Sequence, residues 1–395
     1  MRVAKILITI VATLLVVAAA FAGGYVANDV AHPQRITLTP TERAQADQAG
    51  DLERVVIEEL QGRYYKKVDV SKLETGGVNG TLKSLDDPYT VYMDPKESQK
   101  WRETLEGSYS GIGAGLEKKG KKLLITWVFD DSPAKEAGLK AGDAIVTVDG
   151  EPTADKSVEA NVTRIKGPEG TQVILEVRKQ DHGPLQKMTL TRRQIHIPVT
   201  RTKIIERGGM KIGYIQLYDY STGVGKTIHG EIDKLESQGA QTFILDLRYN
   251  GGGYVGEAVN VTSDFLEKGA VVTTVGLHSP KQTFDATGDA ATDKPLVVLV
   301  NHWTASSSEI TSGALQDNAR ATIMGTQTFG KGLVQELVDL PNGATLKLTT
   351  AIYLTPDGRD INKKGITPDV KAADDLKTKP DEALDRAVEY LVSGH

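Results

Sequence analysis

No cysteine occurs anywhere in the 395-residue chain. Disulfides, thiol nucleophiles and thiolate metal sites are thereby excluded. The seven histidines are scattered, and with Asp and Glu they show no metal-ligand spacing, so neither a metal nor another cofactor is expected. Charge of one sign is not in large excess: 47 basic and 52 acidic side chains leave a net charge of −5. That balance gives no general attraction to nucleic acid, and no nucleic-acid partner is expected. Internal repeats and low-complexity tracts are absent. Only one long apolar run occurs, so the chain crosses a bilayer at most once.

That run is the first informative feature present. Arg2 and Lys5 precede nearly uninterrupted apolar residues from Ile6 to Ala27. The length matches the roughly 20 residues that span a bilayer as a helix. Basic residues on the short side hold that end in the cytoplasm. Two readings stay open. The run is an uncleaved signal anchor, or Ala20-Phe21-Ala22 marks signal cleavage; its length favours the anchor. The expectation is a single-pass cell-membrane protein with its bulk extracytoplasmic, the alternative a secreted protein.

The remaining 39% hydrophobic and 25% charged composition is that of a globular protein of two or three domains. Residues 28–40 read as a linker. A helix is expected from Thr41, as N-cap, to about Tyr65, and a short second one over Gly80–Leu85. Residues 107–179 are strand-rich and punctuated by glycine. Strands and helices then alternate, the mark of an α/β core. Strands are expected at Ile212–Leu217, Thr242–Leu247, Leu296–Val300 and Ala321–Met324. Helices are expected at Gly225–Gln238, Gly256–Leu266 and Ser308–Asn318, and a hairpin turns at Pro341-Asn342-Gly343.

Three segments can carry chemistry. In Val300–Ile310 a buried strand stops, small hydroxyl residues follow and a helix opens. A serine there lies beside free backbone N–H groups and the positive end of a helix dipole. Such a place can expose a nucleophile and stabilise an oxyanion, although a plain N-cap, with Ser308 ahead of Glu309, is the bland alternative. A nucleophilic serine needs a base, and no histidine is evidently placed to serve. A free lysine, with a pKa of about 10.4, is protonated at neutral pH, but burial lowers that value. Lys331, flanked by Gly330 and Gly332 among apolar neighbours, is the candidate. On an extended strand Lys331, Leu333 and Gln335 share a face, so Gln335 can orient the amine. The third segment, Asp246–Tyr254, runs a buried strand into Gly251-Gly252-Gly253, whose N–H groups can face an anion. It lacks the spacing of a dinucleotide- or phosphate-binding loop.

Together these segments resemble the C-terminal processing peptidases, or tail-specific proteases, of the S41 serine peptidase class. Further motifs carry the resemblance: Leu85–Met93, Gly111–Ala114, and Tyr353–Gly358 continuing to Gly365–Asp369. The resemblance implies Ser306 as nucleophile, Lys331 as general base, Gln335 as its support, and Gly252 and Ser307 as oxyanion N–H donors. The family has alanine where Ser307 stands and proline where Gly251 stands. It also implies a PDZ domain that binds a peptide tail as an added strand, with Ile112, Gly113, Ala114 and Gly115 at the carboxylate loop and strand edge. Lys166 occupies a turn where relatives often carry arginine.

The fold class expected is α/β (α+β) multidomain: a mixed-sheet α/β peptidase core, an inserted β-rich PDZ domain, and an N-terminal helical segment behind one transmembrane helix. The expected boundaries are 1–27 for the anchor, 28–106 for the linker and helical region, 107–182 for the PDZ domain, 183–375 for the peptidase core and 376–395 for a C-terminal helix. The implied activity is serine endopeptidase cleavage by a Ser–Lys dyad with Gln. The implied partners are polypeptides with free, apolar C-termini, the membrane through the N-terminal helix, and a second copy of the chain in a homo-oligomer.

Overall fold

The structure is a computed structural model and describes residues 38–373 and 381–394. The chain forms two compact units. Of the described residues, one unit comprises 38–100 with 199–373 and 381–394, and the other is Trp101–Pro198.

The first unit is organised by a six-stranded sheet. Its order is Thr200–Arg207, Met210–Leu217, Thr242–Asp246, Leu296–Val300, Thr322–Gly325 and Val370–Lys371. The first pair is an antiparallel hairpin, and every later pairing is parallel. Parallel strands must be covered on both faces, so they read as continuous apolar runs; Leu296-Val297-Val298-Leu299-Val300 is buried throughout. Leu296, Val298 and Val300 face a core shared with the helices Val224–Ser237, Val255–Ser263 and Ser307–Asp317. Val297 and Leu299 face the C-terminal helix Glu382–Ser393 through Ala383, Ala387, Val388 and Leu391. Burying that Val and Leu contributes about 1.5–3 kcal/mol each.

Asp246 pairs with Leu299 in parallel register. The loops that follow these two strands therefore leave the same end of the sheet side by side, at the carboxyl ends where α/β sheets build their sites. A second sheet contains Val91–Met93, Thr345–Leu354, Ala270–Val275 and Gln282–Asp285, with Leu333–Asp339 also paired to Thr345–Leu354. Gly343, at φ 79°, closes that last hairpin as expected.

The unit Trp101–Pro198 holds a sheet in the order Ala114–Lys119, Lys122–Val128, Ala144–Val148, Gln172–Arg178 and Leu185–Thr191, with the helix Val158–Ile165. Leu123, Ile125, Val148, Ile165, Val173 and Leu175 belong to its core.

Two expectations near the N-terminus are corrected. The first helix is Pro40–Arg63, capped by Thr39 rather than Thr41: Thr39 and Glu42 form a reciprocal capping box, which sets Pro40 at the favoured first position. The second helix runs Val70–Lys83 instead of Gly80–Leu85. Its three glycines, Gly76, Gly77 and Gly80, disfavour helix and hid it. The apolar run at residues 6–27, where the anchor is expected, lies outside the described residues. Among the described residues no helix is long and apolar enough to cross a membrane.

Candidate active site

Ser306 links the strand Leu296–Val300 to the helix Ser307–Asp317 with φ 55° and ψ −119°. A side-chain-bearing residue rarely adopts this conformation, and such strain collects at functional sites; the same sharp strand–turn–helix geometry presents the nucleophile in hydrolases of other folds. The neighbouring serines are committed elsewhere. Ser307 Oγ donates to Gly253 O at 2.6 Å, and Ser308 Oγ donates to Asn250 O at 3.1 Å. Of the three consecutive serines, those two use their hydroxyls to hold the glycine loop.

That loop is packed directly on the turn. A Cβ on Gly252, which has φ 103°, would stand 2.8 Å from both Ser306 Cβ and Ser307 N. Only glycine permits this approach. The Gly252 N–H donates to Asn250 Oδ1 at 2.8 Å, so this expected anion donor is engaged by its own loop. Asn250 is itself fixed, donating from Nδ2 to Leu217 O at 3.0 Å. At the loop's base, Arg248 is buried between two aspartates. It binds Asp246, and Asp381 at the cap of the C-terminal helix, in each case through two nitrogens. Tyr214 Oη also donates to Asp246 Oδ2 at 2.7 Å.

Lys331 is 1% exposed, and its Nζ has no hydrogen-bond partner among the described residues. Its flanking glycines are required. A Cβ at Gly330 would lie 2.7 Å from Lys364 N, and one at Gly332 would lie 2.8 Å from Asn362 N. Burial pushes the Lys331 ammonium well below the usual lysine range. The charge of nearby Lys347 adds to that push, while Glu309 and Asp87 oppose it. The face of Tyr89 covers Nζ, 4.5 Å from the ring centroid.

Val334 and Gln335 are consecutive and both buried. The facing strand carries the β-bulge here: Thr350 is the extra residue between Ala351, opposite Val334, and Thr349, opposite Gln335. Gln335 Nε2 donates to Thr349 Oγ1 at 3.2 Å. Among the described residues its Oε1 accepts from no group. Lys331 Nζ and Gln335 Oε1 are thus a donor and an acceptor, each buried and each unpaired.

Sequence reasoning missed the group that joins these parts. Glu309 is fully buried. Its Oε2 accepts from Ser306 N at 2.9 Å and from Lys331 N at 2.8 Å. Its Oε1 accepts from Gly330 N at 2.7 Å and from Thr328 Oγ1. One carboxylate oxygen therefore bridges the backbones of Ser306 and Lys331. Burial pushes this carboxyl up, against the pull of its four donors. The available signal was an acidic residue inside a run of small buried ones. Also missed was the roof over Lys331. Asp87 accepts from Tyr89 N and Thr90 Oγ1, and Thr349 N donates to Thr90 Oγ1 at 3.0 Å. The strand Val91–Met93 sets Val91 opposite Lys347, a second buried lysine lowered by burial to about 8.

In the other unit, Ile112 is a core residue. Its carbonyl and that of Gly113 accept from Ala134 N and Phe129 N, each at 2.9 Å. Ala114 and Gly115 open the strand Ala114–Lys119, and the Trp127 ring covers Gly115. Lys166 caps the helix Val158–Ile165. Its Nζ is paired with Glu103 Oε2 at 2.5 Å and lies 4.5 Å from the Tyr109 ring centroid.

An α/β core with a serine on a strained strand-to-helix turn and a buried lysine, and a separate PDZ-like unit, point to a class of peptidase, and comparison with known proteins agrees. Residues 211–372 match peptidase family S41, residues 124–179 match a PDZ domain, and residues 14–97 match the activating protease CtpB N-terminal domain. The carboxy-terminal processing protease CtpA of Bacillus subtilis (strain 168) is 39% identical over 316 residues, covering 80% of this chain and 67% of the relative. The carboxyl-terminal-processing protease of Synechocystis sp. is 40% identical over 314 residues, covering 78% of this chain and 74% of the relative. The solved photosystem II D1 C-terminal processing protease superposes with a TM-score of 0.51 at 28% identity, over 88% of this chain and 97% of that one. The chain belongs to peptidase family S41, among the carboxyl-terminal-processing proteases.

Proposed function

We propose that this protease cleaves peptide bonds with Ser306 as nucleophile and neutral Lys331 as general base. The observation that carries the reading is the shared Glu309 oxygen joining the Ser306 and Lys331 backbones, beside an amine that is buried without a partner. Lys331 Nζ takes the Ser306 Oγ proton as Oγ bonds to the substrate carbonyl carbon. The carbonyl becomes an oxyanion, held by the N–H of Ser307 and by that of Gly252 once Asn250 Oδ1 releases it. Collapse breaks the C–N bond, and Lys331 gives the proton to the leaving amine. A water then attacks the ester, losing its proton to Lys331; the acyl C–Oγ bond breaks, the new carboxyl terminus leaves, and Lys331 returns the proton to Ser306 Oγ. Gln335 turns its free Oε1 toward Nζ and steers the amine.

The PDZ unit supplies the substrate. Its exposed partners are the strand Ala114–Lys119 and the helix Val158–Ile165, between which an apolar polypeptide tail adds as a strand. The chain works outside the cytoplasm, with residues 6–27 as anchor, or as a secreted protein once that segment is cut.

A fluorophosphonate probe should label wild type stoichiometrically and leave Ser306→Ala unlabelled, with hydrolysis of an unfolded exported protein lost in parallel. Full turnover by Ser306→Ala would sink the assignment. The lysine is tested by pH. Activity needs the neutral amine, so kcat/KM rises with pH through the Lys331 pKa. Removing the like charge in Lys347→Met lets that pKa climb, and the acidic limb should move to higher pH. A limb that stays in place or moves to lower pH would refute the role of Lys331 as base.

A further inference from the structure

Exposed large apolar side chains are spread along the chain, eight of them between Leu38 and Leu85. Among the described residues from 199 onward they are Tyr249, Leu277, Trp303, Phe329 and Ile352. Three of these lie within three residues of Gly252, Ser306 or Lys331. Trp303 is 47% exposed, Phe329 43% and Tyr249 41%. His302, also exposed, joins two of them: its ring lies 5.3 Å from Trp303 at 66° and 6.1 Å from Phe329 at 46°.

The patch is rigidly mounted. Asn301 Oδ1 accepts from both Tyr249 N at 3.2 Å and Trp303 N at 3.0 Å. Phe329 N donates to Thr304 O at 3.0 Å, which ties the lysine segment to the serine turn. Tyr249 is held at φ 66°, in the left-handed region that bulky residues avoid. Aromatic rings fixed by their backbone lose little entropy on binding and gain much when covered. Edge-to-face and tilted rings leave faces and edges to which a further ring or aliphatic chain adds favourably.

On the reading that Ser306 is the nucleophile, we propose that His302, Trp303, Phe329 and Tyr249 form a subsite for a large aromatic or aliphatic side chain of the polypeptide substrate, near the bond that is cut. The occupant follows from continuity. Trp303 is three residues from Ser306 and Phe329 two from Lys331, while an extended substrate advances only about 3.3 Å per residue. Three residues of chain span at most about 10 Å, so a substrate residue within about three positions of the scissile bond lies within reach of these rings.

The test is a peptide series in which phenylalanine replaces alanine singly at each of four positions either side of the cleaved bond. Wild type should prefer phenylalanine at one or more positions. Trp303→Ala should lower kcat/KM for that peptide about tenfold more than for its alanine parent. Trp303→Phe should restore most of the preference, and Leu277→Ala, an exposed apolar residue that is not one of the four, should not alter it. No wild-type preference, or equal losses on both peptides, would overturn the subsite. A preference left intact while Trp303→Ala changes the sedimentation of the protein would also overturn it, in favour of a second copy as occupant. Retained cleavage in Ser306→Ala would overturn the underlying site reading and the subsite with it, whereas loss there with equal losses in Trp303→Ala would overturn the subsite alone.

Discussion

Lys331→Met is expected to abolish peptide hydrolysis while making the protein more stable. The two effects share one cause. The native amine is buried with no hydrogen-bond partner, and leaving such a donor unpaired costs about 1–3 kcal/mol. Methionine fills nearly the same volume with no polar group, so the melting temperature should rise by that equivalent. Turnover should fall by roughly 1,000-fold or more, because the proton of Ser306 loses its acceptor. Lys331→Arg should be equally inactive, since a guanidinium stays protonated and cannot serve as base. Steady-state kinetics and thermal melting on the same samples decide the matter. Retained turnover in Lys331→Met would remove lysine from the mechanism, and a lowered melting temperature would show that the amine is stabilised by something other than the contacts described.

Glu309→Gln should have the opposite stability effect and a similar direction in rate. The carboxylate accepts four hydrogen bonds, two at each oxygen. A glutamine keeps one acceptor oxygen and turns an NH2 group toward two donors. Losing a buried, multiply bonded acceptor costs about 3 kcal/mol or more. The Ser306 and Lys331 backbones then lose their common tie, and a displacement near 1 Å costs roughly 100-fold in rate. The expected result is a fall in kcat with little change in KM, slower fluorophosphonate labelling, and a lower melting temperature. Glu309→Asp, which keeps the charge but retracts it by one methylene, should lie between. Wild-type kcat in Glu309→Gln would refute the tie.

These two residues also mark where the sequence is legible. Lys331 by itself reads as a solvated turn between two glycines, and only its company with the serine turn, the glycine loop and the ordered motifs singles it out; the glycines prove to be packing requirements. The parallel strands are legible on their own, since a run such as Leu296–Val300 has no exposed face to interrupt it. Glu309 was visible only as a first-turn acid, because its partners come from residues 306, 328, 330 and 331, and no local pattern brings those together. Gln335 was selected by strand alternation with Lys331, and both are buried, but the bulge at Thr350 that sets Thr349 opposite Gln335 belongs to the facing strand. The strand Thr200–Arg207 was missed because, as an edge strand, it carries charged and half-buried residues. The glycine run marked the loop as a place for an anion and the resemblance pointed to Gly252 within it, whereas the Asn250 side chain that engages its N–H depends on loop geometry alone.

The brace on Arg248 reaches far along the chain. Asp381 lies 133 residues beyond Arg248 and still meets its guanidinium. The foot of the glycine loop is therefore held from two directions, by Asp246 on its own strand and by the cap of the helix Glu382–Ser393. The resting position of that loop is set by a distant segment as much as by its own neighbours.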